Sequence, residues 1–277
     1  MKIHKKLLSA RISSAAGTVA GAPPPQNKPL YISRNSLLMR KLVYSSLVSV
    51  LVSLLLASCA SVPISVEGPA EMFPDKVPSN ICYLRTVRSV RLIGIRTGFN
   101  STGTLIEGQY LVTAAHNLYD SWRTKLVSVQ VSCKGSDGSV VTSVVDKSGI
   151  EKARKVGHYN RNFSTDYAFL KLNESLPVDE SIRLNKSANI SEIPVIKVAG
   201  YPGRVLKYGE GNIVRPIPDD STFYYEVDTA KGMSGGPVWA TYQGVDSLVG
   251  IHVSEGRARI VNSALIDDFE TWKTALR

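Results

Sequence analysis

Residues 231–239 read KGMSGGPVW, which sets Ser234 between Gly232 and the run Gly235-Gly236-Pro237. A serine that acts as a nucleophile needs a base to take its proton, a group to orient that base, and donors for the oxyanion that forms. A glycine-flanked turn suits this task. Gly232 lets the backbone bend so that its own N–H and that of Ser234 face one point, and Gly235 and Gly236 leave room for a substrate carbonyl. Alone, the segment would read as a glycine turn before a strand. Two other stretches change its weight. Tyr110–His116 (YLVTAAH) is an apolar run that ends in a histidine after small residues, and Asp166 stands just before the apolar run YAFLKL. Taken singly, a histidine at a strand end is a half-buried surface residue and an aspartate before a strand is a turn residue. His4, His158, Asp146, Asp219 and Asp220 lack comparable surroundings and keep that ordinary reading. Together, His116, Asp166 and Ser234 supply one base, one orienting carboxylate and one nucleophile.

The elements that must position them are short. Segments such as SVRLIGIRT, GTLIEGQYLVTAAH, LVSVQVSC, DYAFLKL, EIPVIKVAG, TFYYEV, GPVWATY, SLVGIHVS and ARIVNSALI alternate or run apolar between turn residues. Glu107-Gly108 between apolar runs signals a tight hairpin. About ten to twelve such strands with no long helical pattern between them predict a sandwich or barrel. The C-terminus differs: Leu265, Phe269, Trp272 and Leu276 recur at helical spacing, with Asn262 or Ser263 as cap. A polar, apolar-poor stretch near 180–192 divides the rest, so the expected domains are an N-terminal β-barrel over 76–185 and a C-terminal β-barrel with the terminal helix over 186–277.

The order His116, Asp166, Ser234 is that of the chymotrypsin-type arrangement and not of subtilisin-like or α/β-hydrolase enzymes. The blocks TGTLIEGQYLVTAAH, TDYAFLKL and GMSGGPVW resemble the three catalytic blocks of chymotrypsin-fold serine peptidases over roughly residues 95–275. Gly200–Gly203 (GYPG), Asp228-Thr229 and Val249–His252 (VGIH) are similar to the bacterial glutamyl endopeptidase branch. The resemblance implies an all-β fold of two six-stranded barrels with His116, Asp166 and Ser234 catalytic, and the Gly232 and Ser234 amides as oxyanion hole. It further implies substrate contacts from Thr229, His252 and Ser254. Activity should then rise with pH through the range in which histidines ordinarily deprotonate, roughly 6.5–7. Two positions depart from the family. Met233 replaces the aspartate that pairs with a newly cut N-terminus in digestive enzymes, so the expectation is activity without zymogen cleavage once the signal is removed, or control by some other means. Asp228 stands where trypsin-like enzymes hold the acid that binds Arg or Lys, whereas Thr229 and His252 suit Glu. Acidic and basic P1 residues both stay open, and Glu255 stands where such pockets often have a small residue.

The 277 residues carry a formal charge of +10, yet residues 1–59 hold eight Lys or Arg and no acid, leaving 25 basic against 23 acidic side chains in 60–277. The excess belongs to targeting, which argues against nucleic-acid binding. From Met39 the chain reads MRKLVYSSLVSVLVSLLLASCA, a basic start, an apolar run and small residues before Cys59, as in an export signal. Cys59 resembles the lipidated cysteine of bacterial lipoproteins. The apolar run Leu42–Ala57 has 16 residues and four serines, which is short for a bilayer span. The expectation is an upstream extension and signal over 1–58, with the true start at Met39 or with 1–38 as a functional, transit-peptide-like extension, and a tether over 59–75. A lipid, including palmitate, on Cys59 would hold the protein in the bacterial cell envelope facing the periplasm or outer surface. Cys82 and Cys133 are left as a disulfide or as two buried thiols. No C-x-x-C, H-E-x-x-H or histidine cluster occurs, so neither metal nor cofactor is expected. The expected partners are protein or peptide substrates and the membrane. A protease-fold lipoprotein that only binds proteins is the alternative from another class. An envelope quality-control protease is disfavoured, because only 43 residues follow Ser234.

Overall fold

The computed structural model describes residues 77–157, 162–216 and 221–277, all within the unit Val62–Arg277. The signal, Cys59 and the tether lie outside the described residues, as do His4, His158, Asp219 and Asp220. Thirteen described strands form two sheets. β1 (Ile81–Val90), β2 (Arg96–Ile106), β3 (Tyr110–Thr113), β4 (Thr124–Lys134), β5 (Val140–Val145), β6 (Arg154–Val156) and β7 (Tyr167–Lys171) make the first, in the order β5-β4-β1-β2-β3-β7-β6. β8 (Val195–Gly200), β9 (Lys207–Pro216), β10 (Thr222–Tyr225), β11 (Pro237–Tyr242), β12 (Val245–Ser254) and β13 (Arg257–Ile260) close into a six-stranded barrel. A short helix, α1 (Lys147–Glu151), follows β5, and α2 (Ser263–Ala275) ends the fold.

The all-β architecture with one terminal helix is as expected, but the first half is a seven-stranded sheet and not a six-stranded barrel. The extra strand is β6, three residues reading RKV, too short and polar to show alternation. It forms because β7 would otherwise leave a bare edge. A second difference lies in SVRLIGIRT, expected as one strand. The backbone turns over at Arg91–Gly94, where Gly94 adopts φ +68°, and β1 and β2 pair on either side. The hairpin at Glu107-Gly108 is as expected; both residues take positive φ, 52° and 64°.

Each half has its own apolar core, and a third cluster joins them. Cys82 and Cys133, on neighbouring strands β1 and β4, form a disulfide inside the first core. In the joining cluster Tyr83 of the first half meets Tyr201 of the second edge-on at 5.7 Å. α2 completes that cluster. Asn262 caps it by accepting from the Leu265 N–H at 3.1 Å. Its Phe269 and Trp272 pack edge-on against Tyr110 of the first sheet at 5.6 and 5.8 Å, and Phe269 meets Phe169 at 5.2 Å. The helix therefore fixes the second half against the first. The connection between the halves also takes part: Asn80 donates to the Ile182 carbonyl at 2.8 Å, and Arg183 bridges to Ser247 of β12.

Candidate active site

β3 and β7 are antiparallel neighbours with Thr113 opposite Ala168. The C-terminal end of one therefore adjoins the N-terminal end of the other, and this places His116, just beyond β3, beside Asp166, just before β7. His116 Nδ1 lies 2.7 Å from Asp166 Oδ2, and the His116 backbone N–H donates to Asp166 Oδ1 at 3.0 Å. Both carboxylate oxygens thus hold one residue, ring and backbone. The Asp166 side chain is 13% exposed and that of His116 32%, so the carboxylate is shielded while the ring keeps an open side.

Ser234 reaches the same place through a buried polar network. The Ser234 carbonyl accepts from the Thr102 N–H and from Asn117 Nδ2, both at 2.9 Å. Asn117 follows His116 directly, so the turn bearing the imidazole and the turn bearing the hydroxyl are joined by one side-chain amide. Asn117 also donates to Thr113 Oγ1 at 3.0 Å, and Thr113 to the Thr102 carbonyl at 2.7 Å. Thr102 Oγ1 donates to the Gly232 carbonyl at 3.0 Å and accepts from the Tyr201 N–H at 2.8 Å. Sequence reading passed over Thr102, Thr113 and Asn117, which carry no local pattern. Only adjacency to His116 could have drawn attention to Asn117.

The glycines around Ser234 are explained by this crowding. Gly235 has φ +86°, and a Cβ there would come within 2.1 Å of Thr113 Oγ1 and 2.3 Å of the Thr102 carbonyl. Gly232 has φ +106°, and its Cβ would meet the Tyr201 carbonyl at 2.5 Å. Among the described residues no acceptor meets the N–H of Gly232 or of Ser234, whereas those of Met233, Gly235 and Gly236 are bonded to the Ala230, His252 and Met233 carbonyls. Met233 is buried at 1% exposure, and its sulfur accepts from the Ala230 N–H at 3.4 Å. The turn is thus held by apolar packing and backbone bonds.

β12 runs beside the serine turn: Gly235 N–H donates to the His252 carbonyl at 2.7 Å, and the His252 N–H to the Gly236 carbonyl at 2.9 Å. The His252 side chain is buried, with Nδ1 hydrogen-bonded to the Tyr225 hydroxyl. Burial pushes its pKa down to about 4, a positive charge on nearby His116 pushes the same way, and the Arg257 carbonyl opposes them in part. His252 is therefore neutral at pH 7. Tyr225, whose phenol burial raises well above its usual range, was missed as its partner, although alternation in TFYYEV puts it on the inward face with Phe223. Thr229 and Ser254 are half-buried, while Asp228 and Glu255 are exposed. Asp146, read as an ordinary residue, caps α1 by accepting from the Gly149 N–H at 3.0 Å.

Residues 101–251, more than half of the chain, match the trypsin-like peptidase domain. The chain belongs to the trypsin-like peptidase family. Among solved structures this peptidase is similar to a Glu endopeptidase in complex with MPD, with 18% identity and a TM-score of 0.52 over 73% of this chain and 93% of that one. It is also similar to GrC, a granzyme, at 16% identity and a TM-score of 0.52, over 73% of this chain and 97% of that one. Both likenesses are of fold. No curated protein matches the chain. The peptidase match includes His116, Asp166, Gly232 and Ser234, and it extends to β12 short of His252.

Proposed function

We propose that this trypsin-like peptidase is a serine endopeptidase that cleaves proteins or peptides through an acyl-enzyme at Ser234. The observation that carries the reading is the pairing of His116 with Asp166 on a turn clamped to the Ser234 carbonyl by Asn117. Ser234 Oγ attacks the scissile carbonyl as His116 Nε2 takes its proton. Asp166 holds the ring by its Nδ1–H and stabilises the imidazolium. The Gly232 and Ser234 amides receive the oxyanion. His116 then protonates the leaving amine, the acyl-serine forms, and water activated by the same ring releases the acid. Met233 fills the turn without a buried charge, so no new N-terminal amine is needed to order it.

We further infer a preference for an acidic P1 residue. Thr229 and His252, beside the serine turn, match the positions that contact the substrate carboxylate in glutamyl endopeptidases. The opposing Asp228 is exposed, where solvent screens its repulsion. Lipid on Cys59 anchors the protein in the bacterial envelope, facing the periplasm or outer surface; mass spectrometry of the N-terminal peptide checks that modification. The test of function is hydrolysis of an internally quenched peptide library. Cleavage after Glu over Arg, lowered roughly 10⁴-fold or more by Ser234→Ala, is expected. Equal cleavage by the Ser234→Ala variant would rule the mechanism out, and a preference for Arg would overturn the pocket alone.

A further inference from the structure

The tip of the β1–β2 hairpin carries apolar side chains that no core receives. Leu92 is 95% exposed and Ile93 64%. The Arg91 N–H donates to the Arg123 carbonyl at 2.9 Å, and Val90 pairs with Thr124, so Trp122, 78% exposed, stands beside the tip. Cations surround these side chains. The Arg123 guanidinium lies 4.2 Å from the centre of the Trp122 ring, and Arg91, Arg96 and Lys125 are exposed on the same end. Residues 76–106 contain no acid. The nearest one, Asp120, is spent on Arg91 at 3.2 Å and on the Leu126 N–H at 2.6 Å.

We infer that this tip is a docking surface for a bilayer containing anionic phospholipid. Leu92, Ile93 and Trp122 enter the interfacial region, and Arg91, Arg96, Arg123 and Lys125 meet headgroup phosphates. Protruding aliphatic residues ringed by cations fit such a surface: the acyl boundary removes the aliphatic groups from water, an indole settles at headgroup depth, and guanidinium pairs with phosphate. An acidic protein would satisfy the arginines but leave a convex, nearly fully exposed Leu92 without a cavity to enter. Docking bears on the active site, because Arg88 of β1 donates to the Asn117 carbonyl at 3.0 Å and to the Tyr119 carbonyl. That contact is two residues from the end of β1 and the tip that follows it, so a docked tip sets the height of the His116 turn above the membrane. The inference does not depend on lipid at Cys59, but it is compatible with it.

The chain has three tryptophans, and the other two, Trp239 and Trp272, are 1% and 9% exposed. Trp122 emission therefore reports the tip alone, whatever holds the chain to the membrane. The full chain is mixed with vesicles of phosphatidylglycerol and phosphatidylcholine brominated in the acyl chains, with sedimentation followed in parallel. The expected result is a blue shift and quenching that Trp122→Phe abolishes, that Leu92→Asp with Ile93→Asp removes while the folded circular-dichroism spectrum is kept, and that Arg91→Glu with Arg123→Glu reduces several-fold. Sedimentation without Trp122 quenching would overturn the inference while leaving membrane anchoring intact, and would point to a protein partner for the tip. Equal quenching on pure phosphatidylcholine would overturn the recognition of anionic headgroups.

Discussion

Asn117 sits between the two turns that chemistry must hold in register, with its amide shared by Ser234 and Thr113. Its side chain touches no reacting atom in the proposed mechanism, so it acts by position. Removing it deletes a buried bond worth about 1 kcal/mol and frees the serine turn to shift, and misplacement of about 1 Å can cost on the order of 10²-fold. Asn117→Ala is expected to lower kcat by roughly 10- to 100-fold with KM little changed. Steady-state kinetics check this, and unchanged kcat would show that the Thr102 bond alone holds the turn. This residue also marks how far the sequence is legible at this scale. His116, Asp166 and Ser234 stand out because small residues and glycines frame them. Asn117 and Ser234 are 117 positions apart, and the network that joins them through Thr102 and Thr113 has no local signature.

At the scale of elements, α2 connects the halves. Trp272 packs on Tyr110 and Phe169, and its indole N–H donates to the Lys152 carbonyl at 3.0 Å. Lys273 on the next position bridges Glu107 of the β2–β3 hairpin at 2.8 Å. Trp272→Ala should destabilise by about 3–5 kcal/mol through the cavity and the unpaired carbonyl. Urea unfolding measures it; a loss under about 1 kcal/mol would mean the helix is an accessory. The helix was readable in advance because its apolar residues recur over three turns behind an Asn cap. β6 was not, because the three residues RKV become a strand only when β7 offers an edge. The turn at Arg91–Gly94 was hidden for a related reason: an apolar run with one glycine reads as a strand, and only the pairing of β1 with β4 and β2 decides where it bends.

For the whole molecule, His252 couples stability to pH. Its pKa is about 4 in the folded chain against about 6.5 when unfolded. Between these values the unfolded state binds the extra proton, so stability rises with pH through the window and falls as pH drops from 6.5 to 4. The loss is about 3 kcal/mol. Chemical unfolding at several pH values checks it, with the slope expected to flatten in His252→Gln; an unchanged slope in that variant would place the titration elsewhere. The charge of the whole chain carries a second lesson. Its basic excess is concentrated in residues 1–59, and the near-neutral remainder still gathers cations and exposed apolar residues at one hairpin tip, a juxtaposition that composition averages away.

The proposed chemistry depends on one hydroxyl made nucleophilic by its neighbours. The most direct measurement is labelling of the purified protein with a fluorophosphonate, followed by mass spectrometry of the modified peptide. The account predicts a single adduct on Ser234 that is lost in Ser234→Ala and strongly slowed in His116→Ala. An unlabelled folded protein, or an adduct on a different serine, would contradict it.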